Sequence, residues 1–177
     1  MGGRVAAFHR RSTPVIAADN GPAAGAGFSL ALAADIRIAS PEARFNAAFV
    51  RIGPSGDDWG WSYFLRRLVG LARASEILLI GRFLNAAEAA EIGLVSAVVP
   101  AADLLESAFG LADQVVANSP LGVALTKQVL AVNADAPSLD AALELENRNQ
   151  VLATRSADMV EALAAFREKP GPRFVGT

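Results

Sequence analysis

The sequence predicts an α/β fold: a strand-and-helix core over residues 1–99 followed by an all-helical region over residues 100–177. Three observations predict it. Short apolar runs of strand length (Val15–Ala18, Ile36–Ala39, Leu94–Val99) alternate with segments of helix spacing. A small-residue loop, Asn20-Gly-Pro-Ala-Ala-Gly-Ala-Gly27, leads from the first of these runs into a helix. From Ala101 onward the apolar residues recur at helix spacing throughout.

Taken in order, residues 3–11 read as the end of a helix and Val15–Ala18 as a buried strand of the continuous apolar type. Asn20-Gly21-Pro22 is a turn, and Gly25–Ala34 a short helix. Ile36–Ala39 is a second strand, and Ala43–Ala48 is extended with Phe45 facing inward. Gly53-Pro-Ser-Gly-Asp-Asp58 is dense in turn residues and forms a loop. Helices are expected from Trp59 to Leu68, from Ala72 to Ile80, and from Asn85 to Ile92, where Gly93 stops the last. Leu94–Val99 closes the core as a strand. Beyond it, Leu104–Val116, Leu121–Val132, Leu139–Thr154 and Ala157–Arg167 carry helical patterns.

Composition narrows the function classes. A length of 177 residues suits a domain with a sizeable core. A net charge of −2 offers no electrostatic case for nucleic acid or an anionic membrane. No cysteine is present, which excludes disulfides, thiolate nucleophiles and Cys-ligated metals, and a single histidine argues against zinc. The uncharged stretch from Asn20 to Ala34 is too short to span a bilayer, and the first eight residues lack the apolar core of a secretory signal. A cytoplasmic protein with no metal is expected.

The chemistry centres on Gly25-Ala26-Gly27. These residues keep a helix N-terminus bare, and bare N–H groups can hold an anion or an oxygen gaining negative charge. On spacing alone, close packing of strand and helix explains the glycines equally well. A Rossmann fingerprint fails because Leu30 stands where the third glycine is required. Ser29 lacks the G-x-S-x-G context of a hydrolase nucleophile, and His9, the lone possible base, is expected on a solvated helix end.

The run Pro14-Val-Ile-Ala-Ala-Asp-Asn-Gly-Pro-Ala-Ala-Gly-Ala-Gly27, continued by Leu30-Ala-Leu-Ala-Ala-Asp-Ile-Arg-Ile-Ala-Ser40, resembles the signature of the crotonase (enoyl-CoA hydratase/isomerase) superfamily. The resemblance extends through Ala43-Arg-Phe45, Arg66-Arg-Leu-Val-Gly70, Leu79-Ile-Gly-Arg82, Ala86–Val95 and Phe166-Arg-Glu-Lys-Pro170. It implies a ββα spiral, here its C-terminal portion, followed by a helical oligomerisation region that builds trimers or dimers of trimers. It also implies an acyl-CoA thioester as substrate, with coenzyme A as part of that substrate and no separate cofactor. Fatty-acid metabolism, including β-oxidation, or aromatic-acid metabolism is the implied setting. The family's N-terminal part supplies one oxyanion amide and much of the coenzyme A groove. Residues 1–13 match none of it, so a fragment is expected, the alternative being a protein that has lost half its site.

Carried over residue by residue, the resemblance places the second oxyanion amide on Ala26, with Pro22, Ala24, Gly25, Gly27, Ser29, Phe49 and Pro54 as substrate-binding positions. Two departures stand out. Family hydratases have glutamates at the positions of Ser29 and Phe49, and neither replacement is an acid or base near neutral pH. Asp58 matches the loop that holds a working aspartate in dienoyl-CoA isomerases and aryl-CoA dehalogenases, with Asp57 second, although either could instead cap a helix. Trp59, Trp61, Tyr63 and Phe64 would line an acyl or aryl pocket or belong to the core. The expected function is acyl-CoA processing of the hydratase/isomerase type. The alternative is a catalytically silent acyl-CoA binder or structural subunit.

Overall fold

A computed structural model of the chain describes residues 2–53, 55, 58–168 and 171–176, with only the backbone described at residues 2, 48, 58 and 168. The chain divides into two compact units, Met1–Arg11 with Val15–Leu111 and Ser12–Pro14 with Ala112–Thr177. The sequence pattern turns all-helical after residue 99, whereas the first unit runs on to Leu111, taking in the first turns of α5 (Leu104–Val116).

The first unit is built on two small sheets between which the chain alternates. β1 (Ile16–Asp19), β3 (Ile36–Ala39) and β6 (Ala97–Val98) form one parallel sheet in the order β1-β3-β6. The other comprises β2 (Pro22–Ala24), β4 (Arg44–Asn46) and β5 (Phe83–Asn85), with β2 parallel and β5 antiparallel to β4. The run β1, β2, α2 (Ala26–Ala33), β3, β4 is the ββα spiral expected from the sequence. Phe45 of β4 points inward at 1% exposure, as anticipated. β2 and β5 were not anticipated. Each has three residues and no alternating pattern of its own, and each exists because β4 offers it a backbone edge.

Helix α2 is apolar around most of its circumference, the pattern of a helix enclosed by its fold, and it buries Phe28, Ser29, Ala31, Leu32 and Ala33. Its two ends are tied down differently. At the C-terminal end the guanidinium of Arg37, itself only 8% exposed, donates Nη1 to the carbonyls of Ala34 (2.5 Å) and Ala31 (3.4 Å) and Nε to that of Leu94 (2.8 Å). Carbonyls at a helix C-terminus are under-supplied with donors and carry partial negative charge, so a buried cation with several donors is an effective cap there. Asp35 accepts the Val15 amide at 2.7 Å, fastening the start of β1 to the same corner. The Asp-Ile-Arg triplet is therefore scaffold.

Helix α3 (Trp61–Ile80) is broken at Gly70, whose φ of 78° and ψ of 161° leave the helical region. The two helices read from the sequence around this glycine are its two halves, and a side chain at that φ would be strained. α1 (Gly2–His9) and α4 (Ala86–Glu91) complete the unit, the latter capped by Asn85, whose side chain accepts the Glu88 amide at 2.8 Å. His9 differs from expectation. It is half-buried, its Nδ1 lies 3.3 Å from the Ala33 carbonyl, and its ring meets Phe64 edge-on at 4.9 Å.

In the second unit, α6 (Pro120–Asn133), α7 (Leu139–Thr154) and α8 (Ala157–Glu168) follow the sequence pattern to within a residue or so, with Ser119 and Ser138 capping the first two. Asp158, 1% exposed, accepts from Ser119 Oγ at 2.6 Å and from the Val175 amide at 2.8 Å, tying the start of α6 and the tail to α8. No single helix among the described residues is long and apolar enough to cross a membrane.

Candidate active site

The site is built around the N-terminus of α2. Gly25 is the residue before the helix, and its backbone sits at φ 53°, ψ −126°, a conformation open to glycine and costly for other residues. Gly25 has no side chain to cap with, and the first helical hydrogen bond runs from the Ser29 amide to the Gly25 carbonyl at 3.1 Å. The N–H groups of Ala26 and Gly27 precede that bond and have no acceptor within the helix. Both residues are exposed. The sequence-predicted oxyanion residue thus lies at an uncapped, solvent-facing helix start, where the partial positive charge of the helix is concentrated.

Phe49 lies over this terminus. A β-carbon placed on Gly25 would meet Phe49 Cζ at 3.8 Å. The Phe49 ring stacks on Trp61, with centroids 4.9 Å apart and planes 20° from parallel. Trp61 opens α3, is 1% exposed, and leans against Phe28 of α2 at 5.5 Å. Its indole Nε1 donates to Ser29 Oγ at 2.5 Å, while Ser29 Oγ donates to the Gly25 carbonyl at 3.2 Å. Ser29 is fully enclosed. Of the predicted site residues, Gly25, Ala26, Ser29 and Phe49 are therefore brought together. Pro22 and Ala24 are exposed on β2, which leads into the same helix start.

Pro54 and Asp57 lie outside the described residues, as does the Asp58 side chain. The Asp58 backbone opens a short 3₁₀ turn, Asp58–Gly60, placed directly before Trp61. In this turn Trp59 (φ 60°, ψ 24°) and Gly60 (φ 87°, ψ 16°) are both left-handed. A tryptophan in that region is strained by roughly 1–3 kcal/mol, a feature that clusters at functional sites. Trp59 is half-buried and packs on the core, while Trp61 and Phe64 belong to it. Tyr63 instead faces a cleft of about 610 Å³ lined also by Val50, Arg66, Leu71, Ala74 and Leu78, set between the two halves of α3.

Among the described residues of this unit, Asp19, at the end of β1, is a carboxyl raised by burial. Burial pushes it up to about 6, against the pull of Arg37, and its Oδ2 is enclosed with no partner among the described residues. Nothing in the spacing marks Asp19 or the Trp61–Ser29 pair, because both depend on which elements pack together. No group of three or more potential metal-ligating side chains occurs among the described residues.

Comparison with known proteins gives this geometry its context. Residues 6–177 match the family model for enoyl-CoA hydratase/isomerase. The chain is 44% identical over 168 residues to "Probable enoyl-CoA hydratase EchA12" of Mycobacterium tuberculosis, covering 94% of this chain and 59% of that protein. It is 42% identical over 163 residues to 1,2-epoxyphenylacetyl-CoA isomerase of Escherichia coli, covering 92% of this chain and 62% of the isomerase. The crystal structure of enoyl-CoA hydratase from Bacillus anthracis superposes with a TM-score of 0.94 at 34% identity, over 99% of this chain and 67% of that one. The chain thus spans about three-fifths of the length of these curated relatives. With its spiral core, its uncapped α2 terminus and these matches along nearly all its length, the chain belongs to the enoyl-CoA hydratase/isomerase family.

Proposed function

We propose that this chain acts on acyl-CoA thioesters by proton transfer of the isomerase type, with the thioester oxygen held at the start of α2. In this reading the Ala26 N–H donates to the oxygen as negative charge develops on it, and the helix terminus favours that charge. A carboxylate, Asp58, removes a proton from one acyl carbon and returns it to another, so the double bond moves and no water is added. The observation that carries the choice of isomerisation over hydration is the state of the two glutamate positions. The Ser29 hydroxyl is buried and engaged on both sides, and Phe49 is stacked on Trp61, so neither can hold or activate a water. The open cleft bordered by Tyr63 and Leu78, which Ser62, Ser75 and Arg66 also line, has the volume of an acyl or aryl subsite.

The same substitutions favour a second reading, a catalytically silent acyl-CoA binder. Incubation with 2-enoyl-, 3-enoyl- and aryl-substituted acyl-CoAs, with products separated by chromatography, distinguishes the two. Double-bond migration without 3-hydroxyacyl product supports the isomerase reading. Hydration as the main reaction overturns it, and binding without turnover supports the silent one.

Trimers or dimers of trimers in a cytoplasmic setting are part of the same proposal. Large apolar side chains left exposed on the helices, Val116 (77%), Leu130 (70%), Leu139 (73%) and Phe166 (87%) among them, are the kind that subunit contacts cover. Light scattering at micromolar concentration tests it, and a monomeric mass counts against it.

A further inference from the structure

We infer that Ser29 and Trp61 are positioning residues that set the direction of the Ala26 N–H, an inference that rests on the reading of that amide as the oxyanion donor. The Gly25 carbonyl and the Ala26 N–H belong to one planar peptide unit and point in opposite directions. Whatever holds the carbonyl therefore aims the amide. The Gly25 carbonyl receives two donors from the same residue, the Ser29 amide at 3.1 Å and the Ser29 hydroxyl at 3.2 Å. That hydroxyl has one proton, and its orientation is decided by the Trp61 indole, which occupies a lone pair from the other side at 2.5 Å and leaves the proton for Gly25.

The chain Trp61–Ser29–Gly25 ends at the backbone of the proposed oxyanion residue, and each link is sheltered. Ser29 is 0% and Trp61 1% exposed, so a broken link finds no water to replace it. Trp61 is in turn clamped between Phe49 and Phe28. The arrangement answers a local need. With Gly25 at φ 53°, ψ −126° and no side-chain cap, the residue before α2 supplies no side chain to fix the helix's first peptide. Rotating it would break both hydrogen bonds to the Gly25 carbonyl. A position that resembles the glutamate site of hydratases has thus become part of the support beneath the amide. Trp61 also stands three residues after Asp58, so the same side chain links the turn carrying that aspartate to the helix start.

Trp61→Phe retains an aromatic ring for stacking and removes the donor, and Ser29→Ala removes the hydroxyl. Both variants and the wild-type chain are titrated with an enoyl-CoA labelled with ¹³C at the thioester carbonyl. Affinity is read by calorimetry and the carbonyl stretch by difference infrared spectroscopy. In the wild type the stretch falls to lower frequency on binding. In each variant affinity changes less than threefold, the shift shrinks by half or more, and kcat drops about tenfold with KM little altered. The double variant is no worse than Ser29→Ala, because the two residues act through one carbonyl. A full wild-type shift in both variants, with only a lower melting temperature, overturns the inference and leaves the Ala26 reading standing. No shift in the wild type overturns that reading and this inference with it.

Discussion

The indole N–H of Trp61 reaches Ser29 Oγ at 2.5 Å, joining the first residue of α3 to the second turn's beginning in α2 with both side chains closed to solvent. The Ser29 hydroxyl is thereby engaged on both sides, which bears directly on what substitutions there will do.

Replacing Ser29 with glutamate is expected to destabilise the chain by more than about 3 kcal/mol and to confer no hydration. The larger side chain must displace Trp61, and its charge enters a site closed to solvent. Ser29→Ala is milder, at roughly 1–3 kcal/mol, the loss expected when a buried indole N–H is left unpaired. Denaturant midpoints check both values, and a 3-hydroxyacyl-CoA assay checks for hydration.

Gly25 and Gly27, two residues apart, should respond oppositely to alanine. Gly25→Ala meets no clash, since Phe49 Cζ would lie at 3.8 Å, but its positive φ makes the substitution cost roughly 1–3 kcal/mol and should misdirect the Ala26 amide. Gly27 has an ordinary φ and nothing within 4 Å of a new β-carbon, so Gly27→Ala should be neutral or stabilising by a few tenths of a kcal/mol. Thermal melts of the two variants decide it.

Asp19 predicts a pH dependence with a definite sign. Its folded value of about 6 lies above the ordinary 3.8, so the folded chain holds this proton more tightly than the unfolded one. Its share of the stability is present below about pH 4 and is lost as pH rises through about 6. Asp19→Asn removes the penalty of an ionised, enclosed carboxylate. The variant should exceed the wild type by roughly 1–2 kcal/mol at pH 8 and match it at pH 4. Urea denaturation at both pH values tests this, and a pH-independent difference would show that Asp19 is not the titrating group.

Asp58→Asn is expected to lower turnover by about two to four orders of magnitude with thioester affinity nearly unchanged, as for a group that moves protons without gripping substrate. Asp57→Asn should reduce stability by roughly 1 kcal/mol at most, the worth of a helix cap, and leave turnover close to wild type. Single-turnover kinetics on both variants reads the difference, and the opposite pattern reassigns the proton carrier to Asp57.

Much of the architecture was legible because it depends on local pattern. Ile36–Ala39 occurs as read, α7 runs from Leu139 to Thr154 as read, and the break in α3 falls at the glycine between its two apolar stretches. Strand β6 is shorter than the apolar run Leu94–Val99: Ala97 and Val98 stand in register on β3, and the Ser96 and Val99 amides donate to the Arg37 and Ala39 carbonyls at its two ends. For His9 an arginine-rich neighbourhood suggests solvent, whereas the packing of α1 brings its ring against Phe64.

The sequence by itself determined the family, the alternation of strands and helices, and the bare Gly25-Ala26-Gly27 helix start, because each is written in residues close together along the chain. Tertiary structure alone decided that Ser29 is enclosed, that Phe49 and Trp61 stack, and that Asp19 sits half-buried with an elevated carboxyl. The physical reason is the range of the interactions involved. Helix spacing and turn chemistry act within a few residues, but a hydrogen bond across 32 positions, as between Trp61 and Ser29, exists only once two helices have packed and excluded water from between them.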